Sequence, residues 1–439
     1  MPKSSLRSHL CVTAALGLMA LPFSGQGAVI GQNTPFPPLS AERIATEQPA
    51  EMQAVWADYL ARSQAQKAQD RAFLVAERQG LSAIPAPAPT GNGAASMPLN
   101  KDAAWYGSAE ARQVADNIVS FQTPAGGWSK NQPRNAPPRQ KGQAFMAGAP
   151  RVTTADDFDS SHEGEWSYAG TIDNDATTQE IRFLLKVAAQ LSPAEAAVYV
   201  QSAERGLGYL FAAQFPNGGW PQVWPLQGGY HDGVTLNDNA MIEVISLMDE
   251  VSRGEGEFGL IPAATRQKAA DSERQGVSNL LAAQVHLGDK GGLWAQQYDA
   301  LTLKPASARN YEPSALSTSE SAAVLDYLMS LPEPSPEIIA AVDEGVRLLE
   351  ALKIENMAWK KVSEAEGRRL VPEAGAPLIW ARYYDPKTLT PMFGERDKSL
   401  FDSVDDVGLE RRNGYAWFGT APQKVLKAYA GWKAAHGGQ

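Results

Sequence analysis

The sequence predicts an all-α protein whose helices pair into hairpins set around a closed or nearly closed ring. Three observations carry that expectation. A motif recurs in which a helix runs into Gln, a short turn, glycine and then Trp. It reads VADNIVSFQTPAGGWSKN around Trp128, GYLFAAQFPNGGWPQ around Trp220 and SNLLAAQVHLGDKGGLWAQQYD around Trp294, with a weaker copy at Trp380. Helical periodicity fills the intervals between copies, and strand-like alternation is scarce. Hairpins that return their Gly-Trp loops at similar points stack side by side and gather those loops at one end, where a ligand cleft belongs.

The elements follow in chain order. Residues 1–27 have the layout of a secretory signal: Lys3 and Arg7 precede the apolar run Leu10 to Phe23, and Gly25, Gly27 and Ala28 follow, so cleavage is expected near Gly27. That run is too short to span a bilayer, and no other stretch is long and apolar enough. A secreted mature chain, extracellular or periplasmic, with no membrane partner is the expectation. Residues 28–83 form an N-terminal helical segment, Pro-rich and irregular over 28–39, then one long helix from Pro49 to Gly80. Met52, Val55, Trp56, Tyr59, Leu60, Phe73, Leu74 and Ala76 give that helix a patchy apolar face. Residues 84–99 are rich in Pro, Ala and Gly and read as a linker, which leaves 100–439 as the main domain. Its helices are expected at Thr178–Ser192, Pro193–Ala213, Ala240–Arg253, Ala263–Gln284, Ser317–Leu331, Pro336–Met357 and Pro422–Ala435. The connection Asn135 to Gly170 is long, polar and aperiodic, the mark of a functional or disordered loop.

The stretch from Arg205 to Glu250 organises the rest. Leu207, Leu210 and Phe211 lie at helical spacing before a break at Pro216, Asn217, Gly218 and Gly219. Asn237, Asp238 and Asn239 then signal a second helix beginning at Ala240. The loop between them holds Trp220, Gln222, Trp224, Tyr230, His231 and Asp232, groups that stack on sugars and hydrogen-bond to hydroxyls.

Composition removes several classes of function. Cys11 is the only cysteine and falls within the signal, so a mature chain has no disulfide, no thiol nucleophile and no Cys-bound zinc. The five histidines show no ligand spacing. A net charge of −10 without a basic stripe argues against nucleic acid. Gly254 to Gly259 fits a GxGxxG pattern, but it follows a helix and carries two glutamates, which makes it a loop.

Candidate chemistry sits at two helix entrances, at Arg309 and at three further arginine sites. Asp173, Asn174 and Asp175 precede the helix at Thr178; capping explains one such side chain but not three in a row. Asp238 repeats the arrangement one hairpin later. Two hard-oxygen clusters on one rim could share a calcium ion. Arg309 lies between Tyr311 and prolines, with pairing to Glu312 or Asp299 as the plainer alternative. Arg382, Arg396 and the pair Arg411 and Arg412 lie among aromatics, a setting suited to sugar carboxylates because the guanidinium fork matches them. Ion pairs with Asp385, Asp397 or Glu410 compete with that reading.

Together TIDNDATTQEIRFL, FPNGGWPQVWPLQGGYHDGVTLNDNAM, WAQQYDALTLKPASARNYEPSALS, WARYYDPKTLTPMFGERD and ERRNGYAW resemble the pectate lyases of polysaccharide lyase family ten, over most of residues 100–435. The resemblance implies an incomplete (α/α) toroid with long loops forming a substrate cleft, and calcium-assisted β-elimination of polygalacturonate. It implies Arg309 as catalytic base, Asp173 and Asp238 at a Ca2+ ion, and Arg382 and Arg396 on neighbouring uronates. Asn174, Tyr311 and Trp220 complete the expected substrate contacts. A monomer is expected.

Three rivals remain at this stage. The Gln-Trp repeats are similar to those of terpene cyclases, but the acid motif of those enzymes is missing. An inverting glycosidase would use Asp173 and Asp238 as paired acids. A non-catalytic pectin-binding protein would bind polymer and release nothing. Ultraviolet absorbance separates them, since only a lyase makes a conjugated double bond.

Overall fold

The computed structural model describes residues 28–149, 157–159 and 161–436; the expected signal segment and part of the 135–170 connection lie outside these. The N-terminal segment comprises β1 (Gly31–Gln32), α1 (Ala41–Glu47) and α2 (Ala50–Arg78). The main body lays down α3 (Ala109–Ser120), then three hairpins: α4 (Thr178–Ala188) with α5 (Pro193–Ala213), α6 (Ala240–Arg253) with α7 (Ala263–Ala283), and α8 (Thr318–Ser330) with α9 (Pro336–Ala351). A short α10 (Leu409–Gly414) precedes α11 (Pro422–His436), which packs on α8 and α9. Helices α4, α6 and α8 touch in sequence as one row, and α3, α5, α7 and α9 as a second row behind it. The result is the two-layered (α/α) toroid of hairpins expected from the repeats.

The repeat motif works as a structural joint. Trp128, Trp220, Trp294 and Trp380 are fully buried, and each indole N–H donates to a carbonyl in the last turn of an outer helix: Ile118 O, Leu210 O, Leu280 O and Leu349 O. Each tryptophan thus adds a side-chain donor to the last turn of an outer helix and ties its loop to that helix end. The motif glutamine does the lateral joining. Gln122 Nε2 donates to Gly126 O and Ser202 O, Gln214 Nε2 to Gly218 O and Ser272 O, and Gln284 Nε2 to Gly292 O and Ala341 O. Each amide thus ties its own turn to the next outer helix. Gly276 is required by this packing, because a Cβ there would lie 3.0 Å from the Trp220 ring.

Local signals explain most helix bounds. Capping boxes at Thr177/Glu180 and Ser192/Glu195 start α4 and α5, and left-handed Gly254 ends α6. Helix α9 stops at Ala351, short of the expected Met357. Asn356 turns left-handed with φ 55°, and Met357–Ser363 (β2) pairs antiparallel with Gly367–Pro372 (β3) as a hairpin that sequence periodicity did not suggest.

The N-terminal segment docks onto this body. Trp56 and Tyr59 of α2 pack against Phe215, and the Tyr59 hydroxyl donates to Ala213 O at 3.0 Å. Val55 and Phe73, placed on the apolar face by sequence, are 49% and 45% exposed; the buried stripe is Trp56, Tyr59, Ser63, Asp70 and Leu74. Residues 84–99 are seated rather than loose, with Ala88 and Met97 buried and Gln179 Nε2 donating to Ala94 O and Met97 O. Strand β1 adds to Phe393–Gly394 (β4) and Ser399–Phe401 (β5) in a small sheet ordered β1-β5-β4. Among the described residues no helix is long and apolar enough to cross a membrane.

Candidate active site

Two turns at the entrances of α4 and α6 form the centre. Each hangs from the tryptophan of the preceding repeat: Thr171 N donates to Trp128 O and Thr235 N to Trp220 O. The backbone then turns left-handed at Asn174, Asp175 and Thr177, with φ of 50°, 62° and 69°, and at Asp238 and Asn239, with φ of 50° and 61°. Such conformations cost about 1–3 kcal/mol each away from glycine, and persist only where neighbours enforce them. Here the Thr177 hydroxyl donates to Thr171 O and accepts from Trp128 N. Capping of α4 falls to Thr177, and Asn239 at the start of α6 makes no side-chain cap bond. Neither Asp173 nor Asp238 is consumed as a cap.

The two turns touch. Asp173 is 3% exposed; its Oδ2 accepts from Lys130 Nζ, and its Oδ1 is buried with no partner. Asp238 is exposed on its turn, but the protein around it partly desolvates the carboxyl and raises it above its ordinary value. Asp173 and Glu320 raise it further, and Arg382 and Arg309 oppose them. These groups therefore share one electrostatic neighbourhood. An orphaned carboxylate oxygen beside a second, repelled carboxylate fits the donor chemistry of a hard divalent cation. Among the described residues no three carboxylates or imidazoles converge as a cage, so such a cation would take its remaining oxygens from water and ligand.

Arg309 stands on a tight loop. Glu312 N donates to Arg309 O, Ala308 N to Glu312 O and Arg309 N to Glu312 Oε2. The guanidinium is 36% exposed, donates to the Tyr311 hydroxyl at 2.8 Å and lies 3.4 Å from Glu312 Oε2. Burial works against its charge, but Glu312 with Tyr230, Tyr311 and Tyr415 outweighs burial and holds it above its ordinary value. Glu312, the plainer partner expected from sequence, is the one found; Asp299 instead pairs with Arg43.

A cleft of about 590 Å³ opens beside this centre. Its lining includes Lys130, Arg309, Arg396 and Arg411 against one carboxylate, Asp159, so a chain of net charge −10 presents a cationic groove. Tyr168, Tyr230, Tyr311 and Tyr415 supply aromatic walls. Arg411 lies 4.4 Å from the centre of the Tyr311 ring, and Lys130 Nζ 3.7 Å from that of Tyr168. The Tyr168 hydroxyl meets His231 Nε2 at 2.6 Å and the Tyr230 hydroxyl at 3.1 Å. Burial and nearby Lys130 push His231 down to about 3, so its imidazole is neutral.

The other expected contacts divide. Tyr311 lines the cleft. Asn174 Nδ2 donates to Asn131 Oδ1 at an exposed position. Arg396 lines the cleft and is bound through Nε and Nη2 to Glu410, one of the competing partners, with Asp159 3.5 Å away. Arg382 pairs with Glu320 at 2.6 Å rather than with Asp385, and also faces Asn237. Trp220 is a correction: at 0% exposure it has no face to offer a sugar, because its ring fills the core between α5 and α7. Trp220→Phe is therefore expected to cost about 1–3 kcal/mol in urea unfolding, through the lost indole bond to Leu210 O and the lost volume, with KM unchanged.

Sequence reasoning kept Lys130 only as a candidate subsite contact, its role left open, and did not single out Tyr168 or Tyr415. A signal for Lys130 exists in the repeats, since two residues after each motif Trp come Lys130, Gln222, Gln296 and Arg382, all polar. Gln222 and Gln296 are buried, and Arg382 nearly so.

Comparison with known proteins agrees with this geometry. The family of pectic acid lyases matches residues 120–426. The family 10 polysaccharide lyase from Cellvibrio cellulosa is similar at 29% identity and TM-score 0.60, covering 78% of this chain and 100% of that one. A mutant of that lyase in complex with trigalacturonic acid is similar at the same identity and TM-score, covering 76% and 98%. No curated protein sequence matches. With the match spanning well over half its length and the same fold in the solved lyase, the chain belongs to the pectic acid lyase family and is a pectate lyase.

Proposed function

We propose that this lyase cleaves polygalacturonate by calcium-assisted β-elimination outside the cytoplasm, with Arg309 taking the C5 proton. The observation that carries the reading is the contact of the Asp173 and Asp238 turns beside a cationic cleft that Arg309 and Lys130, the partner of Asp173, line. The Cellvibrio lyase bound to trigalacturonic acid supports a galacturonate ligand, and the opening of the sequence supports secretion.

In the proposed reaction the C5 proton leaves to the base, the C4–O4 bond breaks, a C4=C5 double bond forms and the departing O4 gains a proton. Asp173 and Asp238 would hold the calcium, which when bound supplies Lewis-acid stabilisation of the uronate carboxylate as charge develops on it. Arg396 and Arg411 orient neighbouring uronates by forked pairing, and Arg382, held by Glu320, keeps positive charge beside Asp238. Tyrosine walls give the sugar rings an apolar floor.

Because Glu312 and the tyrosines hold Arg309 protonated, its free-base form gains tenfold per pH unit without levelling in the working range. The rate limb it controls is expected to rise through alkaline pH with no plateau; a plateau below about pH 9, measured as kcat against pH, assigns the base elsewhere. The experiment that tests the whole reading is ultraviolet absorbance on polygalacturonate with and without a chelator. Growth of a conjugated product that stops on chelation and returns with calcium supports it. Cleavage without absorbance makes the protein a hydrolase, and binding without cleavage a pectin-binding protein.

A further inference from the structure

The segment ahead of the family match holds the Arg309 loop in place. Asn33 is 6% exposed, and its side-chain amide donates to three carbonyls of that loop: Arg309 O at 3.0 Å, Asn310 O at 3.1 Å and Glu312 O at 2.9 Å. Two N–H groups shared over three carbonyls fix the turn as a small cage, and no other side chain among the hydrogen bonds described here reaches those oxygens. The Ser307 hydroxyl adds a second tie to Thr34 O. Phe36 packs on Tyr230 and Ala308, and a Cβ on Gly233 would lie 2.9 Å from the Phe36 ring.

The same few residues grip the hairpin that packs beside this loop. Ile30 N donates to Leu400 O and Asn33 N to Lys398 O, while Gly31 and Gln32 pair with Leu400 and Ser399 of β5. Strands β5 and β4 are the legs of the hairpin whose turn carries Arg396. One extended segment, residues 30–36, therefore joins the loop of Arg309, the hairpin of Arg396 and the Tyr230 wall. None of it falls within residues 120–426, where the family match lies.

We infer that residues 30–36 are a positioning strap for the reaction and that Asn33 is its key, setting the Arg309 guanidinium against the cleft without touching substrate. This rests on the reading that Arg309 serves the elimination. A displacement of about 1 Å in a positioned group costs on the order of 10²-fold in rate. The strap lacks other chemistry to contribute, since Asn33 is turned to backbone rather than to the cleft.

The test uses the full chain. Asn33→Ala is expected to lower kcat about 10- to 100-fold with KM changed far less. Asn33→Gln, which keeps both donors, is expected to recover part of the loss. Gln53→Ala removes a comparable amide clamp on Ala45 O and Gln48 O in the same segment, and is expected to leave kcat unchanged. Placed in an Arg309→Ala background, Asn33→Ala is expected to add no further loss, since one acts through the other. A kcat for Asn33→Ala within twofold of wild type, or losses that multiply in the double variant, overturns the inference. Should Asn33→Ala fail to fold, Ser307→Ala reads the same tie, with a smaller drop in kcat supporting the strap and none overturning it. A wild-type protein without turnover removes the functional reading and the strap together; an active wild type matched by Asn33→Ala removes only the strap.

Discussion

Arg309→Ala is expected to lower kcat on polygalacturonate by about 10³-fold, with the fold and polymer binding kept. The fold should survive because Glu312 keeps other donors once the guanidinium is gone: the Tyr415 hydroxyl at 2.7 Å and the backbone N–H of residue 309 at 3.0 Å. Binding should survive because Lys130, Arg396 and Arg411 still line the groove. Arg309→Lys retains the charge but not the fork that reaches Tyr311 and Glu312 together, so it is expected to recover little. Initial rates, melting temperature and polymer retention, measured on the same preparations, separate these effects. A folded, binding-competent Arg309→Ala protein with near-normal turnover would remove Arg309 from the mechanism.

The second large effect belongs to the carboxylate pair. Asp238→Asn is expected to cut turnover about 10²-fold at fixed calcium and to move half-activation to higher calcium, with magnesium unable to substitute. Asp173→Asn should do the same and in addition strand the Lys130 ammonium. The stability sign is opposite. Asp238 is raised by partial desolvation and by repulsion from Asp173 despite its exposed position, so a neutral amide relieves a small native-state penalty, and the calcium-free variant should melt no lower than wild type near neutral pH. An activity loss with unchanged calcium dependence would mean that these carboxylates are not ligands.

Local signals in the sequence carried far, for identifiable reasons. Helix α6 was bounded from Ala240 to Arg253 because polar Asn237–Asn239 and Gly254 bracket an unbroken apolar stripe. The ring was visible because one motif recurs, and the carboxylate pair because capping could not account for three consecutive polar side chains. What failed was non-local. An aromatic in a Gly-rich turn looks the same whether it faces a sugar or a core, and only the bond to Leu210 O shows which holds for Trp220. Arg382 chose Glu320 over nearby Asp385 because folding brings the α8 entrance to it. Asn33 lies 276 residues from Arg309, beyond any periodicity argument. The Met357–Pro372 hairpin was missed because Lys360 and Lys361, exposed on both of its faces, break the alternation of a half-buried strand and read as solvated helix as readily.

The five left-handed residues in the two central turns set a trap for anyone breeding a hardier version of this protein. Glycine adopts those angles freely, so campaigns that score survival on heating will reward its appearance at Asp175 or Asn239, and at Asp238 as well. Each tougher descendant would have traded away the rigidity of those turns or, at Asp238, the carboxylate that the proposed reaction needs. Improvement without that loss has to come from the far side of the molecule, such as the exposed flank of α2.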